Sequence, residues 1–229
     1  MMETAEKYLK ILKVREPQLW PGPLVKSTFK ENDVLEIENG LDCRLPNPYR
    51  DFLLSYKMPE HITVLVSFCG DSFACSWRET FSREKQGYIP RPKHDIGPTV
   101  ELDWHNIKGD SGAEFLQNLR KEQDLSPEAW PCFLAAGFIE IGQVYGHKLF
   151  LNLLTGKIHA LHEEAVYDMA IVYHVDWANP HEVRKHMEER LCICKDFNDF
   201  LRFVCTGDYL DEDEGIFPTE EELEHDYFN

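Results

Sequence analysis

The chain has 229 residues, 43% of them hydrophobic and 12% aromatic, enough apolar surface to offset chain entropy and exclude general disorder. Its formal net charge of −17 disfavours phosphate-directed nucleic-acid binding, which needs a basic footprint, and makes a cationic partner the natural complement. No apolar run approaches the ~20 residues of a membrane span, and the opening MMETAEKYLKILKVREP lacks a signal-peptide h-region, so a cytoplasmic location is expected.

Residues 3–14 place Ala5, Tyr8, Leu9 and Leu12 at helical spacing, which predicts a first amphipathic helix. Three prolines and a glycine in EPQLWPGPLV end it. A second helix is expected from about Asn32 to Asn39, with Val34, Ile37 and Leu41 near one stripe and Gly40 as the residue that stops it. In LDCRLPNPYRDFLLSY, Asn47 can cap a third helix and Pro48 fits its first turn, where a missing N–H costs nothing. Tyr49, Phe52, Leu53 and Tyr56 follow at i, i+3, i+4 and i+7, a complete apolar face without a titratable partner, and therefore core.

HITVLVSF (61–68) reads as a buried strand and SFACSWRETF (72–81) as a second. Residues 84–110 are rich in proline and glycine and read as a long loop with one short strand. DSGAEFLQNLRKE reads as a helix capped by Asp110 or Ser111, and SPEAW as another helix start. FIEIGQVYGHKLFLNLLTGKIHAL then splits at Tyr145-Gly146 and Thr155-Gly156 into three short strands, the pattern of an antiparallel meander. Residues 165–180 are expected to add a strand and a loop. DFNDFLRFVCTG closes the pattern as a helix capped by Asp196, with Phe197, Phe200, Leu201 and Val204 on one face and Gly207 as stop. The order predicts α+β: a central, mainly antiparallel sheet with N-terminal and C-terminal helices packed around it.

Seven cysteines show no repeated C-x-x-C, and several sit in apolar runs as small hydrophobes, so reduced thiols rather than a disulfide framework are expected. In HEVRKHMEERLCIC, His181, His186, Cys192 and Cys194 form the best metal-like cluster. Its i, i+5 histidines do not share a helix face well and its cysteines are one residue apart, so a solvated helix followed by a buried segment is the preferred reading, with no metal and no cofactor. HALHEE (His159, His162, Glu163, Glu164) has general-base chemistry, but no nucleophile stands beside it and no nucleotide-binding or nucleophile motif occurs, so the chain is read as a non-enzyme. Trp77, Tyr88 and Trp104 occupy or flank the irregular region and are candidate partner anchors. Ten acidic residues and no lysine or arginine fall between Asp208 and Asn229, which leaves residues 1–207 with 31 acids against 24 bases, a net of −7. Within that acidic tail Asp208, Asp211, Glu212, Asp213 and Glu214 are candidate electrostatic contacts for a basic partner.

The succession of LEIENGL, a Leu-Pro step, PYRDFLLSY, the hairpin region IEIGQVYGHKLFLNLLTGKI and DFNDFLRFV resembles the SUKH superfamily, across roughly residues 30–207. That resemblance implies a single α+β domain over residues 1–207, followed by the acidic tail at 208–229. Its members are mostly bacterial immunity proteins that bind and neutralise a contact-dependent or polymorphic toxin domain. Fungal relatives regulate cell-wall synthesis as interaction hubs. The implied function is toxin neutralisation by non-covalent binding, with a basic, nuclease-like toxin domain as partner; the alternative is an intracellular scaffold or regulator. No catalytic residues come with the family. The long irregular segment at about 84–127 and the tail depart from its pattern, and Asn152 stands where an acidic residue is expected in the meander.

Overall fold

The computed structural model describes residues 2–19, 24–58, 61–67, 99–105, 109–123, 131–144, 147–189 and 192–206. The expected strand at 72–81, the SPEAW helix start, much of the 84–127 segment and the tail at 208–229 lie outside them. Among the described residues the architecture is α+β, with seven α-helices and a six-stranded antiparallel sheet. The helices are α1 (Met2–Arg15), α2 (Glu31–Leu41), α3 (Asn47–Ser55), α4 (Gly112–Gln123), α5 (Glu163–Ile171), α6 (Pro180–Glu188) and α7 (Phe197–Thr206). Strands β1 (Val25–Lys26) and β2 (Tyr56–Lys57) make a separate two-stranded ladder. The main sheet runs β3 (His61–Ser67), β4 (Thr99–His105), β5 (Phe138–Val144), β6 (His147–Asn152), β7 (Ile158–His162), β8 (Cys192–Cys194), each strand beside its neighbour in sequence.

One face of this sheet carries Ile62, Val64, Leu102, Trp104, Ile139, Leu149, Leu151, Ile158 and Ala160, all buried. Strand alternation puts them on one side, and the apolar stripes of α1, α2, α3, α4 and α7 cover them. Ala5, Leu9 and Leu12 of α1 join this core, and α1 packs along α7. Phe52 of α3 is the crossing point: its ring lies 5.1 Å from Phe197, 5.7 Å from Trp104 and 5.7 Å from Tyr56. Tyr49 meets Phe197 edge-on at 4.9 Å, and Trp104 meets Phe200 edge-on at 5.7 Å. Edge and tilted pairs of this kind add to simple burial because ring quadrupoles are complementary in those geometries.

Among the described residues the opposite face carries a second apolar core toward β5, β6 and β7. There Phe138, Phe150 and Leu161 pack with Phe133, Ala136, Ala165, Val166, Met169, Val183 and Met187, contributed in part by α5 and α6. Strand β6 is therefore buried on both faces, as LFLN shows by its unbroken burial.

Three local expectations shift. Gly40 does not end α2; the left-handed position is Asp42 (φ 52°), whose N–H donates to Asn39 O while Cys43 N–H donates to Glu38 O. An aspartate tolerates that conformation. Gly40 instead gives room to α4, since a Cβ there would lie 2.4 Å from Leu116 Cδ1. Asn47 is the first residue of α3 and Pro46 its cap, with Arg50 N–H donating to Pro46 O, a shift of one residue that leaves Pro48 in the first turn. The strand expected within 165–180 is helix α5: Ala165, Val166 and Met169 make a buried helical stripe, and that burial outweighs the local β-branched content.

Other signals hold. Ser111 caps α4, accepting from Glu114 N–H at 3.3 Å, and Asp196 caps α7, accepting from Asp199 N–H at 2.9 Å, while Asn179, not among the expected caps, closes the start of α6 by accepting from His181 N–H at 3.1 Å. The three meander strands fall on either side of Tyr145-Gly146 and Thr155-Gly156, the two places where the sequence splits the segment. The single strand expected inside 84–110 is the seven-residue β4, which pairs along its whole length with β3.

Replacing Phe52 by Ala should destabilise the fold by about 3–5 kcal/mol, the usual cost of deleting a buried aromatic. Urea denaturation measures it, and a loss within ~0.5 kcal/mol would contradict the central packing role. Burial also holds the Tyr49 phenol above its usual range, and burial followed by the nearby Asp199 charge does the same to the Cys194 thiol. The native state then keeps protons that the unfolded chain releases above about pH 8.5 for a thiol and about pH 10 for a phenol. Stability should be complete below those values and fall as pH rises beyond them. Tyr49→Phe should shrink the phenol step in a plot of denaturation midpoint against pH, leaving the part due to Tyr56, whose phenol burial also raises, and a midpoint flat to about pH 11 would count against both assignments.

Candidate binding surface

Of the residues the sequence offers as partner contacts, only Trp104 lies in the described structure, and it is not a surface anchor. It is 1% exposed, seated on Phe52, Phe197 and Phe200, so its area is already spent on the core. Across the ladder Trp104 faces Gly142. Trp77, Tyr88, Asp208, Asp211, Glu212, Asp213 and Glu214 fall outside the described residues.

A different set of polar side chains is assembled by the sheet. On β3, β4 and β5 the residues that alternate with the core residues include Thr63, Glu101, Asp103, His105, Glu140 and Gln143, and Lys148 of β6 joins them by register. Thr63 and Glu101 are exposed and the rest are half-buried. Asp103 is held by two donors: Thr63 Oγ1 donates to its Oδ1 at 2.7 Å and Gln143 Nε2 to its Oδ2 at 3.3 Å. Lys148 Nζ donates to both oxygens of Glu140, at 3.0 and 3.1 Å, and His105 Nδ1 stands 3.9 Å from the same carboxylate. Asp103 and Glu140 are thus fixed by their neighbours across the strands, which lowers the ordering cost of any contact they make. The surface is a patterned hydrogen-bonding one, with acidic, amide, hydroxyl and imidazole groups and one ammonium. The signal for it was present in ELDWH, where polar and apolar residues alternate within a segment otherwise rich in proline and glycine.

The register of this strip depends on Gly142. The β5–β6 ladder slips between Glu140 and Gly142, a bulge that lets Glu140 and Gln143 lie on the same side of the sheet. Gly142 lies so close to β4 that a Cβ would sit 2.3 Å from the Asp103 carbonyl oxygen.

The histidine- and cysteine-bearing segments take structural places. His159 is 3% exposed in β7, with its ring 5.9 Å from Phe138, and His162 ends that strand. In α6 His181 is exposed, whereas His186 is buried with its ring 5.3 Å from Tyr173. The Cys192 thiol donates to Cys194 O at 3.4 Å within β8. The five described cysteines form no disulfide. Among the described residues no three His, Cys, Asp or Glu side chains are grouped to hold a metal, and no helix is long and apolar enough to cross a membrane. Asn152, where an acid was expected, is 1% exposed and works locally: its Oδ1 accepts from Leu154 N–H at 2.9 Å and Thr155 N–H at 3.1 Å, closing the β6–β7 turn.

Fold and surface together define an α+β protein whose six-stranded antiparallel meander is helix-covered on one face and bears a fixed polar strip on part of the other. Comparison with protein-family models, curated proteins and solved structures finds no match to the chain.

Gly142→Ala should destabilise the protein by about 1–3 kcal/mol, because the obstructing atom is backbone and strand β4 must move to admit a methyl group. Thermal unfolding reads the loss; an unchanged melting temperature would mean that the β4–β5 approach is not as close as described.

Proposed function

We propose that this chain is a SUKH-like immunity protein, cytoplasmic and non-enzymatic, that neutralises a toxin domain by binding it. What supports the reading is how the quoted motif pieces meet. The Leu45-Pro46 step is pinned by Glu38 of α2, whose Oε1 accepts from Leu45 N–H at 3.1 Å. Pro46 lies against the Thr-Gly-Lys turn, with its Cβ 3.3 Å from where a Cβ on Gly156 would stand. Tyr49 and Phe52 of the Tyr-x-x-Phe-Leu helix close on Phe197 of the Phe-x-x-Phe-Leu helix at 4.9 and 5.1 Å. Segments separated by up to some 150 residues in the sequence, which individually carry little information, thus come together as one interlocked core.

In this reading inhibition needs only a surface that covers or distorts the toxin, and no cofactor or metal enters. The net charge of −17 suits a basic toxin domain such as a nuclease, whose own surface must hold phosphates. The polar strip of Asp103, Glu140, Gln143 and Thr63 offers the fixed acceptors such a domain would need, and the acidic residues of 208–229 would steer its approach.

The test pairs the chain with the variable C-terminal domain of a large secreted protein encoded beside its gene. Co-production should restore growth of cells making that domain, and titration calorimetry should give a one-to-one complex. No rescue and no binding would sink the proposal in favour of an intracellular scaffold. Removing residues 208–229 should slow association and flatten its salt dependence while dissociation changes little, because charge outside the desolvated contacts acts on encounter. Stopped-flow measurement at several salt concentrations reads both rates; an unaffected association rate would remove the tail from the mechanism.

A further inference from the structure

Strand register lines up one polar row straight across four strands. Thr63 of β3 faces Asp103 of β4, Asp103 faces Gln143 of β5, and Gln143 faces Lys148 of β6. The row has unlike ends. At one end the Asp103 carboxylate is spread between its two neighbouring strands, Oδ1 accepting from the Thr63 hydroxyl at 2.7 Å and Oδ2 from the Gln143 amide at 3.3 Å. A hydroxyl and an amide orient a carboxylate without cancelling its charge, and a carboxylate has about four acceptor positions, so two such bonds do not exhaust it. At the other end Lys148 Nζ donates to both oxygens of Glu140, at 3.0 and 3.1 Å, which matches that carboxylate's charge inside the fold. The Lys148 backbone stands two strands from Asp103, about 10 Å at ordinary strand spacing, and its ammonium is engaged at Glu140.

We propose that Asp103 anchors the partner and that its occupant is an arginine side chain of that partner, which rests on reading this chain as the binder of a basic toxin domain. A guanidinium is planar and offers paired N–H donors that fit a carboxylate two-pronged, whereas a lysine ammonium is a point charge without that match. The Gln143 amide oxygen and the Thr63 hydroxyl oxygen add neutral acceptors on either side of Asp103. Asp103 is half-buried and held in place, so its contact costs little ordering and is less screened than a fully exposed pair. Charge selects the same occupant. Among the strip residues named, the carboxylates of Glu101, Asp103 and Glu140 stand against the single ammonium of Lys148. A phosphate, or the same face of a second copy, meets like charge there.

Titration of the isotope-labelled full chain with a short glycine-flanked arginine peptide, followed by NMR, tests the site without any toxin. The same peptide with citrulline in place of arginine is the uncharged control. Saturable shifts should centre on the Gln143 side-chain amide and the backbone amides of β4 and β5. They should be lost in Asp103→Asn, which keeps the shape and removes the charge, and persist in Glu140→Gln. No saturable shift, shifts spread over the whole acidic surface, equal shifts with citrulline, or binding retained by Asp103→Asn overturns the proposal. Melting temperatures check that the variants fold; if Asp103→Asn does not, the arginine-against-citrulline comparison and the position of the shifts carry the test. In the complex with the toxin domain, Asp103→Asn should weaken affinity about tenfold or more, and Glu140→Gln by no more than about threefold. A complex insensitive to Asp103→Asn overturns the proposal and leaves toxin neutralisation standing. Absence of any complex overturns the toxin reading instead, and the peptide titration still decides the role of Asp103.

Discussion

The fold hangs on one aromatic contact set. Phe52 of α3 touches Trp104 of β4 and Phe197 of α7, and Tyr49 and Phe200 close the cluster from the two helices. These five rings bring together a helix near the start of the chain, a strand in its middle and the last described helix. None of those elements could bury its apolar stripe alone, and each ring supplies the surface the others need. The local caps only aim the helices at that point: Pro46 and Pro48 start α3, Asp196 starts α7, and the Glu38 carboxylate holds the Leu45-Pro46 step between them.

Burial on one face of the sheet frees the other to be divided. Toward β7 it is apolar and covered by α5 and α6; toward β3 it carries hydrogen-bonded polar groups. The division falls within single strands. In β5, Glu140 and Gln143 sit on the polar side, whereas Phe138 at the strand's start belongs to the second core, and the bulge before Gly142 keeps the polar pair in register with Asp103 and Lys148. A strand with one apolar and one polar face is stable without a second helix layer, so this part of the sheet can present side chains at no cost to the core. The two α5 faces repeat the logic on a helix, with Ala165, Val166 and Met169 spent on the fold and Tyr167 and Ile171 left outside it.

What the sequence by itself determined are the features that depend on near neighbours. The periods of Tyr49-Phe52-Leu53-Tyr56 and Phe197-Phe200-Leu201-Val204, the side-chain caps at Ser111 and Asp196, and the Thr155-Gly156 turn all act within a few residues, so these helices, the three central strands and the α+β class were legible. The tertiary structure decided everything that rests on contacts between distant segments. Gly40 gives room to Leu116 on α4 and does not stop its helix; 165–171 is a helix because β7 and α6 bury its stripe; Trp104 lies in the core because α3 and α7 close over it. The polar strip likewise exists only through strand register, which sets Thr63 beside Asp103 across 40 positions and Lys148 beside Glu140 across a turn. Pairing of that kind is fixed by which faces are buried together, an outcome of the whole core that no short window of residues contains.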